Sequence, residues 1–347
     1  MAEPPTVVVC APLMGRDLTP VRALEPSIRL IDGNDAFDAF NQSLRQGDKE
    51  ATAAKRRDLD ALLAQADVLC LSIPVLREVV EQAPKLRWLH HTQAGVSNLW
   101  ASDVWAAENV LLTSGRGHVR PTAMAEYAIA GALEFARGMH DAYLDKPNGR
   151  LDRSHYQPIR IEGATMGVIG LGGIGSEVAR LSKALGMRVI ATRRSVTEPR
   201  RNVEGVDLLL PSSGLMQLAA ESDFIAVCPQ LTQETLKLID AQVFAAMKPA
   251  AVLVNVSRGE VIDEDAMIEA LRSGKLRGAV VDVYDGEMDG KLPRAELFSL
   301  PNVVLTPHIS AAGASSDTGF MDLFIANVQR YLQGEELLNV VDRARGY

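Results

Sequence analysis

Short apolar runs alternate with amphipathic stretches along this chain, and in the second half the alternation is regular. Ala164-Thr165-Met166-Gly167-Val168-Ile169 is a brief apolar run of the kind buried on both faces of a parallel sheet. Across residues 174–185, Val178, Leu181 and Leu185 recur on one face, which predicts a helix that stops at Gly186. Met187-Arg188-Val189-Ile190-Ala191 then reads as a second strand, and 251–256, 278–281 and 302–305 as three more. Nearer the start, 6–10, 68–71 and 86–89 read as strands. Residues 75–82 suggest a short helix with Leu76, Val79 and Val80 on its apolar face, so a second, smaller α/β layer is expected. Residues 121–137 predict a long helix with an apolar stripe of Ala125, Ala128, Ile129, Ala132, Leu133 and Ala136. The highly charged stretch 44–60 reads as a solvated helix face or an exposed loop.

The turn between the first strand and helix of the regular half is Gly170-Leu171-Gly172-Gly173-Ile174-Gly175. Strand, glycine turn, helix and second strand together make a unit of about 30 residues, the context in which G-x-G-x-x-G carries meaning. Gly170 permits the tight turn, Gly172 lets backbone approach a pyrophosphate, and Gly175 lets helix and strand pack closely. The phosphates are then expected at the helix N-terminus, with Gly173 and Ile174 beside them, where free N–H groups and the helix dipole favour negative charge. A site for NAD usually places an acid at the end of the second strand, for the ribose hydroxyl. This chain has Thr192-Arg193-Arg194-Ser195 there, and no acid until Glu198. Two guanidiniums and two hydroxyls suit a 2′-phosphate, so NADP(H) is the expected nucleotide. The alternative is that both arginines are solvated and NAD is accepted through the hydroxyls.

Three later strands each end on a polar residue. Ser257-Arg258-Gly259 follows one, Asp282 the next, and Thr306-Pro307-His308 the third. Ligands of open α/β sheets sit beyond the carboxyl ends of strands, so these side chains are expected at one edge. A planar guanidinium can hold a carboxylate through two parallel hydrogen bonds.

With these residues in view, the chain resembles the D-2-hydroxyacid dehydrogenase family, of the glyoxylate/hydroxypyruvate reductase type. The resemblance rests on the glycine turn, Asn255-Val256-Ser257-Arg258-Gly259, Asp282-Val283-Tyr284-Asp285-Gly286-Glu287, Thr306-Pro307-His308-Ile309 and Asn339-Val340-Val341-Asp342. It covers most of 66–347. It implies that Arg258 binds the substrate carboxylate and polarises the keto oxygen. His308 is then the general acid in reduction and the base in oxidation, oriented by Glu287. Asp282 holds the nicotinamide carboxamide, and Cys228-Pro229 line the nicotinamide pocket. Gln93-Ala94-Gly95-Val96 resembles the substrate loop, so Ala94, Gly95 and Val96 are expected to meet the carboxylate through backbone N–H groups. There are departures from the common family pattern: Met288 stands where many relatives have Pro, Gly173 replaces a basic or polar residue, and Ser310-Ala311 follows His308-Ile309.

The implied fold is α/β with two Rossmann-like domains. Residues 114–309 form a doubly wound parallel-sheet nucleotide domain. Residues 1–113 with 310–347 form a smaller, discontinuous, flavodoxin-like substrate domain. Crossings in the 121–137 helix and around 310–324 are expected to make a hinge, whose closure excludes water from the hydride path. The family also implies a homodimer, with the 121–137 region contributing to its interface.

Composition narrows the picture further. A formal net charge of -8 argues against general nucleic-acid binding. Three cysteines without a C-x-x-C pair suggest neither a zinc site nor a disulfide framework. His90-His91 lacks a third ligand at suitable spacing, so no metal is expected. Trp88, Trp100 and Trp105 read as core or interface residues. With no signal segment and no apolar run of about 18 residues, a soluble, cytoplasmic protein is expected. The expected reaction is hydride transfer between NADP(H) or NAD(H) and a small 2-keto or D-2-hydroxy acid. Two other readings stand beside it. A formate- or phosphite-type dehydrogenase has no carbonyl to protonate, which Glu287 and His308 count against. A nucleotide-sensing corepressor that binds peptides would show no turnover.

Overall fold

The computed structural model describes residues 4–11, 18–25, 28–117, 121–312 and 319–347. The chain divides into two compact units, Met1–Arg120 with Ser315–Tyr347, and Pro121–Ala314. Part of the expected 310–324 crossing, residues 313–318, lies outside the described residues.

The first unit is built on strands β1 (Thr6–Cys10), β2 (Arg29–Asp32), β3 (Val68–Leu71), β4 (Trp88–His91) and β5 (Leu111–Ser114), in the order β2-β1-β3-β4-β5. Every pair is parallel. Both faces are covered, as a parallel sheet requires. Val8 and Cys10 join one apolar cluster while Val7 and Val9 join another. Trp88 is wholly buried against Phe324 and Tyr331, and its indole N–H donates to Thr113 Oγ1 at 2.8 Å, so it is a core residue. Ser114 lies in this sheet opposite His91, which carries the unit past residue 113. The chain's end returns here: Val341 N donates to Leu112 O, and Ser114 N to Asn339 O.

The charged stretch is helical. Helices Asn34–Gln46 and Lys49–Leu63 turn Leu59 and Leu63 inward and leave the charges in solvent. Asp48 caps the second helix by accepting from the N–H groups of Glu50 and Ala51. The expected 75–82 helix shrinks to Val79–Gln82.

The second unit carries β6 (Thr165–Ile169), β7 (Arg188–Thr192), β8 (Arg200–Val203), β9 (Val206–Leu210), β10 (Phe224–Val227), β11 (Ala251–Asn255), β12 (Leu276–Val281) and β13 (Val303–Leu305). Their order is β13-β12-β11-β10-β6-β7-β9-β8, parallel throughout except for the β8–β9 hairpin. From β6 the chain winds one way through β7 and the other way through β10, so the crevice between β6 and β10 is the topological switch point. The helix after β6 runs Gly173–Ala184 and buries Gly175, Val178, Ala179 and Ser182. Leu185 does not share that face. It caps the helix and is exposed, because the apolar periodicity outlasts the helix by one step.

Helix Thr122–Ala136 buries the expected stripe apart from Leu133, with Gly131 and Phe135 added. Those two additions explain its close seat on the sheet. A Cβ at Gly131 would meet Val280 at 2.7 Å, and one at Gly278 would meet the Phe135 ring at 2.0 Å. No helix among the described residues is long and apolar enough to cross a membrane.

Candidate active site

The glycine turn leaves the end of β6 at the switch point. Gly170 has φ +88°, a left-handed conformation that only glycine adopts cheaply. A Cβ at Gly175 would lie 2.2 Å from Gly170 O, so the helix can start this close to the strand only without one. A Cβ at Gly172 would meet nothing within 4 Å, and Gly172 and Gly173 are both exposed. The turn therefore presents open backbone at a helix N-terminus, a cradle that fits a dinucleotide pyrophosphate. Pro229, just past β10, abuts it: its N would be 2.9 Å from a Gly170 Cβ. Cys228 N donates to Ile169 O, and burial pushes the Cys228 thiol up to about 12, so it is an uncharged wall here.

At the end of β7, Thr192 belongs to the strand, and its Oγ1 accepts from Gly170 N at 3.3 Å. Arg193 turns its Nε to Leu171 O at 3.0 Å, and its Nη1 pairs with Glu204. Arg194 Nη1 lies 3.4 Å from Glu234, and Ser195 is exposed. No acid follows the strand in sequence until Glu198, yet two acids reach the arginines in space. Glu204 and Glu234 arrive through the fold, one of them from the β8–β9 hairpin.

Arg258, Asp282 and His308 follow β11, β12 and β13, three neighbouring strands, at the same carboxyl edge. Arg258 is largely buried. Its Nη1 donates to Ser257 O at 2.8 Å, while its buried Nε has no partner among the described residues. Burial pulls this guanidinium below its ordinary value, with Glu287 and Glu260 opposing the shift. A buried donor without a partner is costly, and an anionic ligand would satisfy it.

His308 Nδ1 is 2.9 Å from Glu287 Oε1. An ionised carboxylate only accepts, so Nδ1 carries the proton and Nε2 is the nitrogen that exchanges one outward. The His308 backbone is left-handed at φ +52°, and it is held there. His308 N donates to Asp282 O at 3.0 Å. The fully buried Asp282 carboxylate accepts from Thr306 Oγ1 at 2.6 Å and from the N–H groups of Ile309 and Ser310, each at 2.8 Å. Tyr127 OH reaches Thr306 Oγ1 from helix Thr122–Ala136. In this structure Asp282 thus fastens the loop that carries His308.

A second carboxylate holds the Glu287 loop. Glu264 is buried, which raises its pKa, and its Oε1 accepts from Asp285 N at 2.8 Å. Gly259 packs so closely that a Cβ would sit 1.9 Å from the Tyr284 carbonyl carbon. That contact joins the Arg258 turn to the Glu287 turn. Sequence reasoning missed Tyr127, Thr306 and Glu264. Thr306 stands two residues before His308, and that adjacency was the available signal. The other two act across long sequence separations.

The Gln93-Ala94-Gly95-Val96 loop belongs to the first unit. Val96 is buried, and Gly115 N bonds to Gln93 O at 3.0 Å. His91 is a structural residue: its Nδ1 contacts Leu71 O at 3.1 Å and its Nε2 contacts Asn98 Nδ2 at 3.0 Å.

A glycine cradle at the switch point, beside a histidine–carboxylate pair and a buried arginine, defines a dinucleotide-dependent α/β oxidoreductase. Comparison with known proteins agrees. The D-isomer specific 2-hydroxyacid dehydrogenase, NAD binding domain, matches residues 129–310. A glyoxylate reductase from Thermococcus gammatolerans is 33% identical over 298 residues, covering 84% of this chain and 85% of that protein. A D-3-phosphoglycerate dehydrogenase from Methanocaldococcus jannaschii is 32% identical over 84% of this chain, which spans 55% of that relative's length. Among solved structures, an NADPH-dependent glyoxylate/hydroxypyruvate reductase from Sinorhizobium meliloti, in complex with NADP and sulfate, is 26% identical. It superposes with a TM-score of 0.73, covering 99% of this chain and 100% of that one. The chain belongs to the D-isomer specific 2-hydroxyacid dehydrogenase family.

Proposed function

We propose that the protein transfers a hydride between NADP(H) and a small 2-keto acid such as glyoxylate or hydroxypyruvate, giving the D-2-hydroxy acid. The observation that carries this reading is the 2.9 Å contact between His308 and Glu287 on the sheet edge that also bears Arg258. Gly170, Gly172, Gly173, Ile174 and Gly175 hold the pyrophosphate, and Cys228 and Pro229 border the nicotinamide. The bound nucleotide supplies the hydride. Arg258 binds the substrate carboxylate and draws negative charge onto the keto oxygen as it develops. His308 donates its Nε2 proton to that oxygen, and Glu287 keeps the ring oriented and balances its charge. In the reverse direction His308 takes the proton back. Arg193, Arg194 and Ser195 favour the 2′-phosphate, a reading supported by the nucleotide named for the Sinorhizobium meliloti structure.

The reading includes a homodimer. Met139, Tyr143, Leu144 and Leu151, on and just after helix Met139–Asp145, are exposed apolar residues that a second copy could cover. The test of function is product configuration. Incubation with hydroxypyruvate and NADPH should give the D acid on chiral chromatography, and an L or racemic product would contradict the assignment.

A further inference from the structure

The β8–β9 hairpin is the one antiparallel element of the eight-stranded sheet and forms its outer edge. Its loop is two residues long, because Val203 pairs directly with Val206. Both loop residues have positive φ, Glu204 at 51° and Gly205 at 76°. That is the type I′ pattern, whose first position favours Asn, Asp or Gly. A glutamate there is strained, since its longer side chain lacks the local hydrogen bonding that lets Asn and Asp tolerate this conformation. Its carboxylate reaches back to the Arg193 guanidinium, whose Nε is already fixed on the glycine turn at Leu171 O. The strained residue therefore delivers a negative charge to the ribose end of the nucleotide cradle, where the sequence following β7 supplies none. Strain kept at such a point leads from the outlier to a role.

We propose that Glu204 sets the nucleotide selectivity of the site by competing with the 2′-phosphate for Arg193. This rests on the reading of the glycine turn and Arg193 as the nucleotide site. A 2′-phosphate arriving at Arg193 must displace the Glu204 carboxylate or lie beside it, and either lowers its affinity. A ribose 2′-hydroxyl meets no such repulsion and can donate to the carboxylate. Glu204 thus moderates the preference that Arg193 and Arg194 create and keeps NAD(H) usable.

The experiment measures the dissociation constants of NADP⁺ and NAD⁺ by titration calorimetry, for the wild-type protein, Glu204→Gln and Glu204→Asn. The ratio of the two constants should shift toward NADP⁺ by about fivefold in both variants, the scale of an exposed ion pair. Glu204→Asn also relieves the turn, so it should melt at a higher temperature than Glu204→Gln while showing the same ratio. That combination separates charge from turn damage. In an Arg193→Gln background, Glu204→Gln should have no further effect on the ratio. A wild-type protein that binds both nucleotides with a ratio unmoved by Glu204→Gln overturns the role of Glu204 alone. A wild-type protein that binds neither nucleotide overturns the cradle reading and this proposal with it.

Discussion

Replacing His308 with Asn should lower kcat by about 10²–10⁴-fold, the usual contribution of a positioned general acid, while leaving NADP⁺ binding unchanged. Asn is the sharper probe than Ala. His308 sits at φ +52°, and Asn tolerates the left-handed region where Ala is strained, so the loop held by Asp282 survives the change. The ring and its Nε2 proton are lost, but the fastening of the loop is not. Steady-state kinetics with a calorimetric binding measurement separates the outcomes. A fall in nucleotide affinity equal to the fall in kcat would make His308 a binding residue instead.

Arg258 should show the second large effect, with a different signature. Its guanidinium is buried, carries an Nε without a partner among the described residues, and is held below its ordinary pKa by desolvation. Two charge-assisted hydrogen bonds to a carboxylate are worth about 1.5–3 kcal/mol each. Arg258→Lys, which keeps the charge but loses the paired geometry, should cost roughly 10²–10³-fold in kcat/KM. Arg258→Met tests the other side of the same physics. A desolvated cation whose Nε has no partner among the described residues costs the fold, so this variant should melt no lower than wild type while being inactive. A variant that unfolds easily, or one that retains turnover, would mean that Arg258 serves the fold and not the substrate.

Much of this site is legible in the sequence because an open parallel sheet converts order along the chain into position in space. Once 251–256, 278–281 and 302–305 read as strands, their ends are neighbours, and Arg258, Asp282 and His308 follow. The glycine turn is legible for the same reason, since its residue types answer to local backbone needs such as φ +88° at Gly170. What escapes is whatever depends on a partner far along the chain. Tyr127 joins the Asp282 network across 179 residues through Thr306, and nothing near Tyr127 announces it. Glu204 escapes because the β8–β9 hairpin is short, polar and exposed on one strand, with Arg200, Arg201 and Asn202 all in solvent. Hydrophobic patterning is silent on such a strand. Leu185 shows the opposite error: an apolar residue in phase with a helix that has already ended.

This chain is expected to reduce 2-keto acids with a nicotinamide nucleotide. The most direct test follows reduced-nicotinamide absorbance with NADPH and with NADH against glyoxylate, hydroxypyruvate, pyruvate and phenylpyruvate. NADPH should be oxidised, faster than NADH, with glyoxylate or hydroxypyruvate. Binding of both nucleotides with no oxidation by any of the four acids would contradict it.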